Sequence, residues 1–193
     1  MDKVTKNRLK LIFIAGLFVL PVMSAWLVFN NPQWLEGAET KNYGELVSPA
    51  IATKLSHYVT NGSAVDMDEL KGRWVLVHID VDGQCAEACK KMVHTIHQIN
   101  VLLNKDAKRL KRVYLDQSDG SLSAFLSEAP ELHVFKWSHE NFTTLNEQVK
   151  GLEDGDMLLM DPLGNMMMRY RQDADPYGIQ KDLKLLFKAS QIG

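Results

Sequence analysis

Residues 73–105 read RWVLVHIDVDGQCAEACKKMVHTIHQINVLLNK. The first nine are a β-rich, nearly continuous apolar run, the composition of a strand buried on both faces of a sheet. After a turn around Gly83 the period changes, and Cys89, Met92, Val93, Ile96, Asn100 and Leu103 recur at helical spacing along one stripe. The segment predicts a strand followed by a helix, with Cys85 and Cys89 at the joint. These are the only cysteines in the chain. His78 falls inside the strand and is expected to be a buried, hydrogen-bonded imidazole.

The same alternation continues towards the C-terminus. RVYLDQ (112–117) and LHVFKW (132–137) predict strands, SLSAFLSEA (121–129) a short helix, and FTTLNEQV (142–149) another. DMLLMDPLGNMMMRY (156–170) predicts two strands around a turn at Asp161-Pro162-Leu163-Gly164-Asn165, which makes them antiparallel neighbours. An amphipathic helix from about Pro176 to Ser190 closes the chain. A βαβ half followed by a ββα half, with a dithiol at the start of the first long helix, is a thioredoxin-like α/β plan: a mixed sheet with flanking helices. Met166, Met167 and Met168 offer thioether sulfur, but strand alternation divides them between two faces as core residues. Lys105, Lys108, Arg109, Lys111 and Arg112 interleave with Leu110 and Val113, as a solvated helix end would. The formal charge is −2 over 193 residues, so no basic excess points to nucleic acid.

Residues 11–29 carry no charge and, as a helix, span roughly 28 Å, enough to cross a bilayer. A cleaved signal peptide fits less well, because its apolar core is about 7–15 residues long and Met23 occupies the −3 place before Ala25. Lys3, Lys6, Arg8 and Lys10 precede the span, while Glu36, Glu39 and Lys41 follow it. The positive-inside rule therefore puts residues 1–10 in the cytoplasm and, in a bacterial inner membrane, the remainder in the periplasm. Residues 30–42 are a polar tether. The domain proper covers 43–193, with a first extended segment near Tyr43 to Val47.

An oxidising compartment gives the cysteines three readings: copper clamp, redox pair or structural staple. A cysteine at a helix N-terminus has its thiolate stabilised by unpaired amides and the helix dipole, so Cys85 is the expected attacking sulfur and Cys89 the resolving one. Asp80 or Asp82 would relay a proton; alternation does not say which points at the sulfurs, and solvated loop carboxylates are the plainer reading for both. As a staple, so small a ring would stabilise by about 2 kcal/mol at most. His94 and His97 follow at tempting intervals but lie roughly 7.5 and 12 Å along the helix from Cys89, too far to share a metal with both sulfurs. His133 and His139, between core elements, are the better-placed imidazoles for a metal held by Cys85 and Cys89.

DELKGRWVLVHIDVDGQCAEAC, KRVYLDQ and DMLLMDPLGNMMMRYR, in that order over roughly residues 43–190, resemble the SCO/SenC family of membrane-anchored thioredoxin-fold proteins of cytochrome oxidase assembly. The resemblance implies the fold, the anchor, the pair Cys85/Cys89, copper as a candidate cargo, and a cytochrome c oxidase subunit or other assembly factors as partners at the inner membrane. The family's cysteines are commonly followed by prolines; here Ala86 and Lys90 stand there. Counting back from Asp161-Pro162, Glu153 takes the place of the family's copper-binding histidine, with Asp154, Gly155 and Asp156 around it. Three functions remain open: a thiol–disulfide or copper-handling factor serving a membrane oxidase, a general periplasmic thiol–disulfide oxidoreductase, and a non-catalytic assembly module. The second lacks a CxxC pair and a proline just before the penultimate strand.

Overall fold

The structure is a computed structural model that describes residues 3–31, 34, 42–52, 55–59, 70–84, 87–118, 129, 131–190 and 192. It divides into two units, Met1–Lys41 and Asn42–Gly193. In the first, helix α1 (Lys3–Asn30) has a mean hydropathy of 2.5 over its most apolar stretch and no buried residue. It is the one described helix long and apolar enough to cross a membrane. Pro21 sits inside it, a position that transmembrane helices tolerate.

The second unit is a six-stranded mixed sheet in the order β1-β6-β5-β2-β3-β4, with β1 Glu45–Ala52, β2 Trp74–Ile79, β3 Leu110–Asp116, β4 Leu132–Lys136, β5 Met157–Met160 and β6 Asn165–Tyr170. Strands β2, β3 and β4 run parallel, while β5, β6 and β1 add on antiparallel. Among the described residues five helical segments or turns accompany it, chiefly α2 (Glu87–Leu103), α3 (His139–Gln148) and α4 (Pro176–Ala189). The sheet is thioredoxin-like, with a long helix connecting its first two parallel strands. The expected helix over 121–129 lies, except for Ala129, outside the described residues.

Every residue of β2 is buried, because the sheet is covered on both sides. Val75, Val77 and Ile79 pack with Val113, Leu115, Phe135 and, on α3, Leu145. Trp74 and Leu76 face the opposite way, onto Met92, Ile96 and Ile99 of α2 and Ile179, Leu183 and Phe187 of α4. The helical stripe read in the sequence is this second interface. The β5–β6 hairpin forms as expected: the Asp161 side chain accepts from Leu163 N (2.9 Å) and Asn165 N (2.8 Å), and Gly164 takes φ +93°, a conformation glycine adopts without strain. The methionines do divide between faces, but through a bulge. Met160 pairs with Met166 and Leu159 with Met168, so Met167 is the extra residue and Met166 and Met168 reach opposite cores.

Two corrections concern charge. The basic run is not simply a solvated helix end. Arg109 donates to the carbonyls of Phe187 (3.0 Å), Ser190 (2.8 Å) and Ile192 (2.9 Å) while lying over the Phe187 ring. It caps the C-terminus of α4, where a cation meets the negative end of the helix dipole. Arg112 is only 3% exposed and contacts His97 Nδ1 at 3.3 Å. At the other end of the unit, the buried Asp182 of α4 accepts from the backbone amides of Tyr43 and Gly44 (each 2.9 Å) and from the Tyr170 hydroxyl (3.3 Å). The Tyr43 ring lies over Gly178 so closely that an added Cβ would meet it at 2.6 Å.

Candidate redox site

The C-terminal end of β2 turns sharply. Asp80 N donates to Leu115 O (3.1 Å), its carbonyl accepts from the Trp137 indole (2.8 Å), and Gly83 N reaches back to Asp80 Oδ1 (2.9 Å). Gly83 takes φ +66° with the Ser118 backbone 3.1 Å from where a Cβ would stand, so glycine is required twice over. The turn delivers the chain to α2. Cys89 is half-buried in the first turns of that helix, packed against Val93 and Tyr114, and it is disulfide-bonded. Cys85, the other cysteine, lies outside the described residues, as does Ala86.

Parallel pairing sets Tyr114 of β3 beside His78 of β2, with ring centroids 4.9 Å apart. The Tyr114 hydroxyl is 3.2 Å from Cys89 Sγ and donates to Asp80 Oδ2 at 2.9 Å. A continuous chain thus runs from sulfur through phenol to carboxylate. Asp80 is 4% exposed, and burial pushes its pKa up to about 6 against the opposing pull of the Tyr114 and Gly83 hydrogen bonds. Tyr114 is held protonated, its pKa raised by burial and by the Asp80 charge. Of the two carboxylates considered from sequence, Asp80 is therefore the one aimed at the sulfur, and it is not a solvated loop group. Asp82 is exposed and caps the Gln84 amide at 2.7 Å.

A cavity of about 60 Å³ opens here, walled by His78, Asp80, Cys89, Tyr114, Asp154 and Gln172 among others. His78 is buried as expected, its ring supported by the Ile79 backbone and by no side chain among the described residues. Burial lowers its pKa to about 4, so the ring is neutral. The loop before β5 is tied to β2 by Gly155 N to Ile79 O (2.9 Å) and Ile79 N to Asp156 O (3.0 Å). It presents Asp154, which accepts from Val81 N at 2.7 Å. Glu153, one residue earlier, turns to Arg171 at 3.2 Å instead. From this loop Asp154 and Gly155 line the cavity, and Asp154 brings the side chain.

The other histidines go elsewhere. His94 is exposed beside Gln98 (3.0 Å) and His97 meets Arg112. His133 pairs across from Val113 and lines a cleft at the opposite end of the parallel strands, and exposed His139 packs on Phe142 at 5.9 Å. The structure brings neither His133 nor His139 to the cavity around Cys89. Among the described residues, the ligand-type side chains whose atoms converge within 4.8 Å are Asp80, Asp82 and Asp154. Three hard carboxylates suit Cu(I) poorly, since it favours thiolate and imidazole; the softer donors lining the same cavity are Cys89 and His78.

Tyr114 and His78 were the residues that sequence reading passed over as site groups. The available signal was register: His78 and Asp80 share a strand face with the helix that carries Cys89.

Residues 74–190 match the family described as "Transmembrane-like, thioredoxin-like, C-terminal domain". The chain belongs to that family. Its fold is shared with SCO proteins. The solution structures of apo Sco1 from Thermus thermophilus superpose with a TM-score of 0.57 at 12% identity, over 75% of this chain and 96% of that one. Copper-bound ScoI from Arabidopsis thaliana gives 0.52 at 13% identity, over 64% and 89%. A SCO1/SenC family lipoprotein from Bacillus anthracis gives 0.51 at 17% identity, over 72% and 98%. No curated protein matches the chain.

Proposed function

We propose that this protein is a membrane-anchored thiol–disulfide factor whose Cys85/Cys89 pair acts outside the cytoplasm in the service of a membrane oxidase. The observation that carries the reading is the chain Cys89–Tyr114–Asp80. A buried staple has no use for a carboxyl group poised near neutrality one hydroxyl away from its sulfur. The likeness to SCO folds and the SCO/SenC sequence pattern support the oxidase setting. The positive flank before α1 supports the orientation. The three carboxylates at the cavity favour disulfide exchange over copper storage.

In the proposed step an incoming thiolate attacks Cys85 Sγ, a new S–S bond forms, and the Cys85–Cys89 bond breaks with its electron pair leaving on Cys89. While the disulfide is intact the Tyr114 proton points to Asp80. As Cys89 leaves, the Tyr114 O–H proton passes to the developing thiolate and protonated Asp80 replaces it on the phenol oxygen, so Asp80 ends ionised, Tyr114 neutral and Cys89 a thiol. With its pKa about 6, Asp80 is protonated in about a tenth of molecules at pH 7 and accepts the proton back on the reverse step.

The test is a redox titration of full-length protein in detergent with thiol alkylation read by mass. Reversible two-electron oxidation of Cys85 and Cys89, with Cys85 alkylated first, is expected. If neither thiol reacts in the folded protein, or if reduction alone unfolds it, the pair is a staple and the non-catalytic assembly module takes its place.

A further inference from the structure

His78, Asp80 and Asp82 stand at alternate positions where β2 runs into the Gly83 turn, and all three line one cavity. Exposure rises along the series, from 1% at His78 and 4% at Asp80 to Asp82 in open solvent. Asp154, also exposed, joins them from the loop before β5. A carboxylate oxygen from each of Asp80, Asp82 and Asp154 lies within 4.8 Å of the other two. Oxygens bound to one ion at roughly 2.0–2.6 Å are at most about 5 Å apart, so one cation can touch all three. No lysine or arginine is among the described residues that wall the cavity.

Exposed carboxylates often cluster without a ligand, and it is the floor of this cavity that sets it apart. His78 is enclosed, yet no side chain among the described residues meets either ring nitrogen. The Ile79 backbone favours the protonated ring, as an acceptor of one ring N–H does. The second nitrogen keeps its lone pair and has no partner among the described residues. A ring N–H held by the backbone, with the other nitrogen bare, is the arrangement of a metal-ligating histidine. Carboxylates suit Mn(II) and imidazole suits Zn(II), while Mg(II) and Ca(II) favour oxygen alone, so a mixed set selects among divalent ions. The cavity, about 60 Å³, leaves room for water to complete the coordination shell.

We propose that His78, Asp80, Asp82 and Asp154 form a binding site for a divalent first-row metal ion, Mn(II) or Zn(II). The site needs neither cysteine reduced and stands apart from the thiol reading. It shares Asp80 with the proton relay, and the two uses exclude each other: a carboxylate bound to a cation stays ionised and has no proton to give.

Full-length protein in detergent, in its disulfide form so that no thiolate can bind metal, would be titrated with Mn(II) and the free ion read by its EPR signal. One ion per chain is expected, resisting excess Mg(II). Displacement by equimolar Zn(II) assigns Zn(II), and retention assigns Mn(II); both support the site. Asp82→Asn and Asp154→Asn keep an oxygen for the Gln84 and Val81 amides and remove only charge. Each should weaken binding about tenfold or more, whereas Glu153→Gln, in the same loop but paired with Arg171, should not. In the unmutated protein, NMR of the imidazole nitrogens should show Zn(II) shifting one nitrogen of His78 and none of exposed His94. Absence of binding by either ion, equal weakening by Glu153→Gln, undiminished binding in the two asparagine variants, or an unshifted His78 overturns the proposal.

Discussion

The redox cavity buries two titratable groups whose pKa values have moved in opposite senses, and their removal one at a time should expose a compensation. His78 falls from an ordinary 6.5 to about 4 and Asp80 rises from 3.8 to about 6, each through burial. A base with a depressed folded pKa contributes stability that is present above its unfolded value near 6.5 and is lost as pH falls towards 4. An acid with a raised folded pKa contributes stability that is present below its unfolded value near 3.8 and is lost as pH rises through 6. Each shift of a little over two corresponds to about 3 kcal/mol. Between pH 4 and pH 6.5 the two slopes therefore cancel to within about 1 kcal/mol. In Asp80→Asn only the histidine slope survives, so the variant should lose about 3 kcal/mol relative to wild type between pH 7 and pH 4, or about 9 °C in melting temperature for a domain of this size. His78→Leu should do the reverse and lose stability relative to wild type as pH rises from 4 to 6.5. Thermal unfolding of full-length protein in detergent, followed by circular dichroism across that range, reads both, and differences against wild type cancel the common carboxylate background. Parallel melting curves for wild type and both variants would refute the opposed burial of the two groups.

Three further outcomes follow from particular contacts. Tyr114→Phe removes the hydroxyl between Cys89 and Asp80; losing a hydrogen bond to a charged group, worth about 1.5–3 kcal/mol, should raise the Asp80 pKa by about 1 to 2 pH units and slow alkylation of reduced Cys89 more than that of Cys85. Equal slowing of both thiols would argue against the relay. Asp182→Ala strands the amides of Tyr43 and Gly44 and the Tyr170 hydroxyl, so chemical denaturation should show a loss of about 3 kcal/mol or more, whereas Lys184→Ala on the exposed side of α4 should cost well under 1 kcal/mol. Asp154→His places an imidazole at the cavity wall next to Cys89, and competition against a Cu(I) chelator should show tighter binding than in wild type; the same change at Glu153, which faces Arg171, should not.

What could be read from the sequence was whatever depends on local period. The β2–α2 unit, the β5–β6 hairpin and the last helix follow from apolar spacing and turn residues, and each formed with boundaries close to those expected. What could not be read depends on which strand lies beside which. Tyr114 enters the site only because β3 pairs in parallel with β2, and nothing within RVYLDQ marks it. The basic run was misjudged for a related reason: the carbonyls that Arg109 caps are 78 to 83 positions away, and a long guanidinium stem can carry its charge to such partners. In the loop before β5, where Gly155 takes φ +80° and is hydrogen-bonded to Ile79, Glu153 pairs with Arg171 while Asp154 lines the cavity, a division that no local sequence signal announces.

The fastening of Tyr43 and Gly44 to Asp182 decides where a force on the N-terminal edge of the globular unit would be borne. The first residues of the globular unit are gripped by a carboxylate on its last helix, and Glu45 beside them is clamped to Arg169. Any pull transmitted along the preceding chain would enter at the β1–β6–α4 margin and be shared between the two ends of the unit. Strands β5 and β2 separate that margin from Tyr114 on β3. A force applied there would thus be borne by the far border of the sheet before it could disturb the spacing of sulfur, phenol and carboxylate.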